Sequence, residues 1–485
     1  MDYKALLNRR HPKLAEKADI HKLLSDSYRG GQVYIDNDHL WRYSSREPEF
    51  QFADRLKRAV YINDIRPIVD ILVSKLYAND VHRLIPDELK FVKENIGGGI
   101  SIETFMKRLS THSAMYTCGV LVDSPSVERL EGIETLKDQI DANVNPYAKI
   151  YMPWQIRDFY LNGYGEIEWV LLDDTECLGG NPFADEKKKR LYTLWTDTTY
   201  QKFSLEGKTV ELISEGEHPC QEVPFMFVNW QEQDSDFISD TSFETAAILS
   251  RQIFNVMSYL DEMLAAGTFK HLFYPGSTKD LPPDFTKNGV SGSAVTGFDG
   301  TKGTPFFAGQ DLQNVAPFIE AINYYKKNIL SLFGMDEDHD KKYVQSGIAK
   351  SLEFSKSENL IKSAASNMEE VEEWIMIFLG RWLGKELSVE VEYNKKYQQE
   401  DVDAELARLL QITMTPYKTV NQEAWAQTVK LLLSNIDNKK LKEIMSEIYG
   451  TNSTMSVKDM VEIEQNAISE NEANNGAETE TVDAA

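Results

Sequence analysis

At 485 residues the chain is too long for one ordinary core and long enough for two to four substructures. Its 42% hydrophobic and 27% charged residues exclude a chain that is disordered overall. The formal charge of −25, from 52 basic and 77 acidic residues, argues against a protein that wraps DNA in Lys and Arg, though not against one that DNA must pass without sticking.

Cys118, Cys177 and Cys220 are odd in number and far apart, with no CxxC. Neither a disulfide framework nor a zinc knuckle is expected, and a reducing compartment fits. The opening MDYKALLNRRHPKLAEK lacks the apolar core of a signal peptide, and no apolar run is long enough to span a membrane.

Residues 12–29 read as a helix stopped by Gly30-Gly31. Residues 50–77 read as a long helix that Pro67 bends or breaks near Arg66. Shorter helices are expected over 87–95 and 101–115, separated by Gly97-Gly98-Gly99. The pattern then turns to strands at 118–123, 148–152, 166–173, 190–196, 200–205, 209–214 and 223–230, punctuated by Asn162-Gly163 and Glu206-Gly207. Together these make a mixed α+β domain ending near Asp240.

A helix over 242–266 follows, with Gly267 as its stop; its 25 residues would span roughly 37 Å. Residues 268–311 are rich in Gly, Pro, Ser and Thr, with strand-like pieces at 269–274 and 293–298. A second helix covers 314–333, with Pro317 tolerated in its first turn and Gly334 ending it. After the polar segment MDEDHDKKYVQSG, a helix of 36 residues runs over 348–383, roughly 54 Å if unbroken. Residues 388–393 alternate apolar and acidic residues, as an edge strand does. Three compact helices follow over 401–413, 420–434 and 438–449. From Val461 onward there are seven acids and no base, so this tail is expected to stay unfolded and to be dispensable.

Enzyme signatures are missing. Gly380-Arg-Trp-Leu-Gly384-Lys385 has the wrong spacing for a nucleotide-binding loop, and there is no G-x-S-x-G or HExxH. Asp336, Glu337, Asp338, His339 and Asp340 suggest a metal site. An EF-hand would need Gly and Glu where Lys341 and Gly347 stand, so the segment reads as a solvated loop. Glu369, Glu370, Glu372 and Glu373 read as a solvated or subunit-facing helical surface, with no His near. His218 and Cys220 are two apart but lack a second ligand pair. Trp154, Trp169, Trp195 and Trp230 lie in or beside strands and read as core. No metal and no cofactor is expected.

The order of these pieces resembles the portal proteins of tailed bacteriophages, head-to-tail connector rings. Local stretches are similar as well: FADRLKRAVYINDIRPIVDILVSKLYAND over 52–80, VPFMFVNW over 223–230, and SGIAKSLEFSKSENLIKSAASNMEEVEEWIM over 346–376. The similarity covers residues 40–400. It implies an α+β chain with a mixed wing domain over 1–241, a two-helix stem over 242–267 and 312–334, and a small α/β clip over 268–311. A tunnel loop over 335–347, a long spine helix with its edge strand over 348–394, a helical crown over 395–450 and an acidic tail over 451–485 complete it.

The resemblance also implies a role: a ring of about twelve copies, without catalysis, through which double-stranded DNA enters and leaves the capsid of the virion. Partners would be the terminase large subunit, the major capsid and scaffold proteins, and a head-completion adaptor; assembly would take place in the host cytoplasm, with no membrane. Another oligomeric virion component, or a nucleic-acid enzyme, is the alternative. Stem contacts between subunits are expected at Ile253, Met257, Leu260, Phe318, Ile322, Tyr325 and Ile329. Lys270, Lys279, Lys287 and Lys302 would mark the clip's docking face. Asp336 to Asp340 with Lys341, Lys342 and Tyr343 would line the constriction. Charge fits such a channel: the loop 334–347 is net −2 and the clip carries four Lys and four Asp, so phosphates are repelled more than held.

Overall fold

The computed structural model describes residues 3–125, 144–178, 187–207, 209–231, 237–268, 271–276, 295–298, 303–308, 315–335, 347–393, 409–413 and 417–432, with isolated positions at 444, 447 and 448. The chain divides into two compact units, Met1–Tyr397 and Gln398–Ala485. The expected helix over 438–449 and the acidic tail lie outside the described stretches, as do the tunnel-loop residues 336–343 and the clip lysines Lys270, Lys279, Lys287 and Lys302.

The first unit opens with α1 (Tyr3–Leu7), α2 (Pro12–Glu16), α3 (Ala18–Arg29) and α4 (Gly31–Asp36). The expected helix over 12–29 is interrupted only at Lys17, and Gly30 stops it at φ 63°, a left-handed conformation that favours glycine. The helix expected over 50–77, bent or broken near Arg66, is two helices, α5 (Glu49–Arg58) and α6 (Ile65–Leu76), joined by an extended link. Pro67 therefore sits in the first turn of α6, where its missing N–H costs nothing, and the break lies upstream of it. After β1 (His82–Leu84) and a 3-10 turn over Asp87–Lys93 comes α7 (Ile102–Met115), capped by Ser101, whose hydroxyl accepts from the Thr104 N–H at 3.3 Å.

The strands are β2 (Cys118–Asp123), β3 (Tyr147–Tyr151), β4 (Ile156–Leu161), β5 (Ile167–Asp173), β6 (Glu176–Leu178), β7 (Lys187–Thr196), β8 (Thr199–Glu206), β9 (Thr209–Glu217) and β10 (Phe225–Val228). Three make a sheet ordered β10-β2-β3; the rest form a six-stranded sheet ordered β4-β5-β7-β8-β9, with β6 on β7. Gly119 in β2 is required by packing: a Cβ there would meet the Phe225 ring at 2.2 Å.

The remaining elements are α8 (Ser242–Thr268), β11 (His271–Pro275), β12 (Val295–Phe298), β13 (Phe306–Ala308), α9 (Ala316–Leu332), α10 (Gly347–Trp382) and β14 (Glu390–Glu392). Strands β11 to β13 form their own sheet, ordered β12-β11-β13, and β14 pairs antiparallel with β1. Helix α8 runs through Gly267 rather than stopping there. The main core gathers α3, α6, α7, β2, the first half of α8, the end of α9 and the second half of α10. A second apolar cluster lies between the two larger sheets, and a third lies under α1 on the six-stranded sheet. In the second unit α11 (Lys418–Leu432) and a helical stretch over 409–413 are described. The class is mixed α+β with several small sheets, as the sequence predicts.

Candidate functional site

Helices α8 and α9 pack against each other, with the small sheet β11–β13 inserted between them in the chain. Phe243, at the start of α8, lies against Phe333, just past the end of α9, with ring centroids 4.3 Å apart. The start of one helix therefore meets the end of the other, and the pair is antiparallel. We call this end the root and the end at the insertion the tip.

Burial falls from root to tip. Phe243, Ala246, Ala247, Ile253, Phe254, Ile329 and Phe333 are all buried in the main core. Beyond Ser258 the described residues of α8 are half-buried or exposed apart from Gly267, and Leu264 is 41% exposed. On α9, residues 316, 319, 320, 323, 324 and 327 form one exposed helical stripe, with Ile319 at 47% and Tyr324 at 65%. In the small sheet, neighbouring Phe306 and Phe307 are 49% and 53% exposed.

The expected stem contacts therefore separate. Ile253 and Ile329 are each 1% exposed inside the chain's own core. Their stripes continue into the core instead of ending at the chain's surface. Met257, Ile322 and Tyr325 pack half-buried on that same core, while Leu260 and Phe318 are half-buried outside it.

Residues 37–64 form a strap along another face of α8. Arg55, 2% exposed, holds the Glu47 carboxylate at 3.0 and 3.1 Å, donates to the Trp41 carbonyl and reaches Ser258 Oγ at 3.4 Å. The Asn255 side chain accepts from the Trp41 N–H at 2.7 Å and donates to the His39 carbonyl at 3.1 Å. Arg58 pairs with Glu262, and the Tyr61 and Ser250 hydroxyls share a hydrogen bond of 3.1 Å. The strap-facing positions 251, 255, 258 and 262 and the apolar positions 253, 257, 260 and 264 differ by two residues, roughly 200° around the helix.

The acidic run on α10 is not a solvated surface. Glu372 is 0% exposed and ion-paired with Arg83 of β1, and the Tyr393 hydroxyl donates to it at 2.8 Å. Burial pushes the Glu372 carboxyl above the usual range, while Arg83 and Tyr393 pull it back. Glu369 and Glu373 accept the backbone N–H groups of Tyr393 and Val391 at 2.8 and 3.0 Å. They stand in for a further strand beside β14: one helical turn between the carboxylates matches two residues of strand. Only Glu370 is exposed. The pattern held one signal for this arrangement, since Glu372 falls on the apolar stripe between Met368 and Ile375.

The His218 ring is hydrogen-bonded to the Thr196 carbonyl at 2.9 Å and packs near Trp195 and Trp382. Burial pushes the Cys220 thiol up to about 12. Among the described residues, no group of three or more His, Cys, Asp or Glu is placed to hold a metal ion. Trp195 and Trp230 are buried and Trp169 is half-buried, but Trp154 is 45% exposed, stacked edge-on against Tyr116 rather than sunk in the core. No described helix is long and apolar enough to cross a membrane.

No family model matches the chain, and no curated protein matches it. Among solved structures, it is similar to a chain in the neck of an empty gene transfer agent particle computed with C6 symmetry, at 11% identity and a TM-score of 0.37, over 80% of this chain and 95% of that one. It is similar in the same degree, 11% and 0.37, to a chain in the virion of a native gene transfer agent particle, over 85% of this chain and 98% of that one.

Proposed function

We propose that this chain is the ring subunit of a tailed-phage portal, the channel through which DNA is packaged and ejected. The observation that carries this reading is the antiparallel pair α8/α9. Its root is built into the chain's own core, its outer stripe leaves Ile319 and Tyr324 exposed beside Glu320 and Lys327, and it holds a small sheet at one end and the 36-residue α10 after the other. A stripe of this kind is covered when identical subunits close into a ring by rotation. Around about twelve copies the acidic segment 335–347 would line the constriction, with Lys341, Lys342 and Tyr343 touching passing phosphates weakly and without register. The insertion, with Lys270, Lys279, Lys287 and Lys302, would dock the terminase large subunit and later the adaptor, and the wing would face the capsid and scaffold proteins. A slippery acidic wall needs no catalytic group and no cofactor. The test is negative-stain microscopy of the purified protein. Rings with a central hole are the expected result, and single particles without a hole at micromolar concentration would overturn the reading.

A further inference from the structure

We propose that the strap of residues 37–64 is one half of a head-to-tail contact between copies of this chain, and that the exposed stripe of α9 on the next copy is the other half. This rests on the ring reading and names its contacting surfaces. The sequence pattern alone suggests that bare stem helices meet. On one face of α8, however, the chain has already laid its own strap, so a neighbour approaching there meets the strap.

The strap is made to be met. Residues 41–62 hold five of the nineteen large apolar side chains that stand exposed among the described residues. Phe50 is 66%, Val60 60% and Tyr43 55% exposed. These are not side chains of a loose loop. The buried Arg55–Glu47 pair and Asn255 fix the backbone beneath them, and Arg42 lies over the Phe52 ring at 4.5 Å. An apolar surface held rigid before contact loses little entropy on binding.

Charge points to a second copy as the occupant. Residues 41–62 carry five bases and three acids, a net +2 in a chain of −25; Arg58 is matched by Glu262 of α8 and Arg42, Arg55 and Lys57 by acids of the strap itself, which leaves Arg46 as the surplus positive charge. Another copy is therefore an acidic body to this patch. The α9 stripe, which carries Glu320 and Lys327, offers Ile319 and Tyr324 for the apolar side chains and Glu320 for Arg46, since Arg42 already holds Glu49. Nucleic acid fits less well, because Glu49 and Asp54 stand exposed among the bases and would face phosphate. Two different patches on one chain give a heterologous contact, which propagates in one direction and can close into a ring.

The experiment uses the full chain in two variants, Tyr43→Asp with Phe50→Asp on the strap, and Ile319→Asp with Tyr324→Asp on the stripe. Each keeps the wild-type circular dichroism and sediments as single chains. Mixed in equal amounts, they form dimers and nothing larger, because one intact strap meets one intact stripe. Rings from either variant alone, or a mixture that stays monomeric, would overturn the proposal. So would a strap variant that assembles normally but loses DNA retention, which assigns the strap to nucleic acid. A wild-type chain that never forms rings overturns the ring reading itself, whereas wild-type rings together with strap-variant rings overturn only this contact.

Discussion

Arg83 and Glu372 show how much a single buried pair commits the fold. Replacing Glu372 with Ala strands a guanidinium whose side chain is only 13% exposed, at a cost of about 3–5 kcal/mol. Replacing both, Arg83→Met with Glu372→Leu, should recover most of that loss, because the desolvation penalty goes with the charges. Urea unfolding of the three proteins checks it: a double variant no more stable than Glu372→Ala would contradict this account of the pair. His21 makes a separate prediction. Its ring is 3% exposed, its Nε2 has no hydrogen-bond partner, and burial, with Lys17 and Arg10 nearby, lowers its pKa to about 4. The unfolded chain, near 6.5, binds the proton first, so stability falls as pH drops from about 6.5 toward 4, by about 3 kcal/mol from this residue. His21→Met should flatten the urea midpoint over that window; an unchanged slope would remove His21 as its source.

At the scale of elements, the strand β14 is gripped from the side by two carboxylates of α10. Glu369→Ala with Glu373→Ala should speed amide exchange at Val391 and Tyr393 while leaving α7 unaffected, as read by hydrogen exchange. The helix pair supplies a contrast. Ile253→Asp buries an unpaired charge in the core and should prevent the chain from folding, whereas Ile319→Asp should change monomer stability by no more than about 0.5 kcal/mol. Soluble, folded Ile253→Asp protein would contradict the core assignment. Helix periodicity made α7, α8, α9 and α10 legible to within a residue or two, because each presents a long apolar stripe. What stayed hidden depended on partners far away in the chain. The three-residue β1 is too short to show a period and exists because β14 pairs with it 308 residues later. Pro67 predicts a bend or break near Arg66, whereas the chain needs an extended link at 59–64 to lay Tyr61 against Ser250. Stripes on α8 and α9 were visible, but whether the chain's own core or a second copy covers each residue is a tertiary fact. Ile253 and Ile319 cannot be told apart by spacing.

For the whole molecule, net charge and element order were readable from composition and pattern, while the strap was not, since nothing local marks residues 37–48 as held by Arg55 and Asn255. One prediction concerns the constriction. Reversing Lys341 and Lys342 to Glu should leave assembly intact and alter the amount or retention of packaged DNA; unchanged packaging and infectivity would count against the loop's position in the channel. The falling burial along α8 and α9 has a consequence in mass action. The root is complete in one chain, so its amide protection should not depend on protein concentration. The stripe at Ile319, Glu320 and Tyr324 is exposed in the single chain, so protection over residues 316–324 should rise with concentration through the assembly threshold, by RT ln(1 + [L]/Kd), where [L] is the concentration of other copies. One helix would then report two equilibria, a unimolecular one at its foot and a concentration-dependent one at its head.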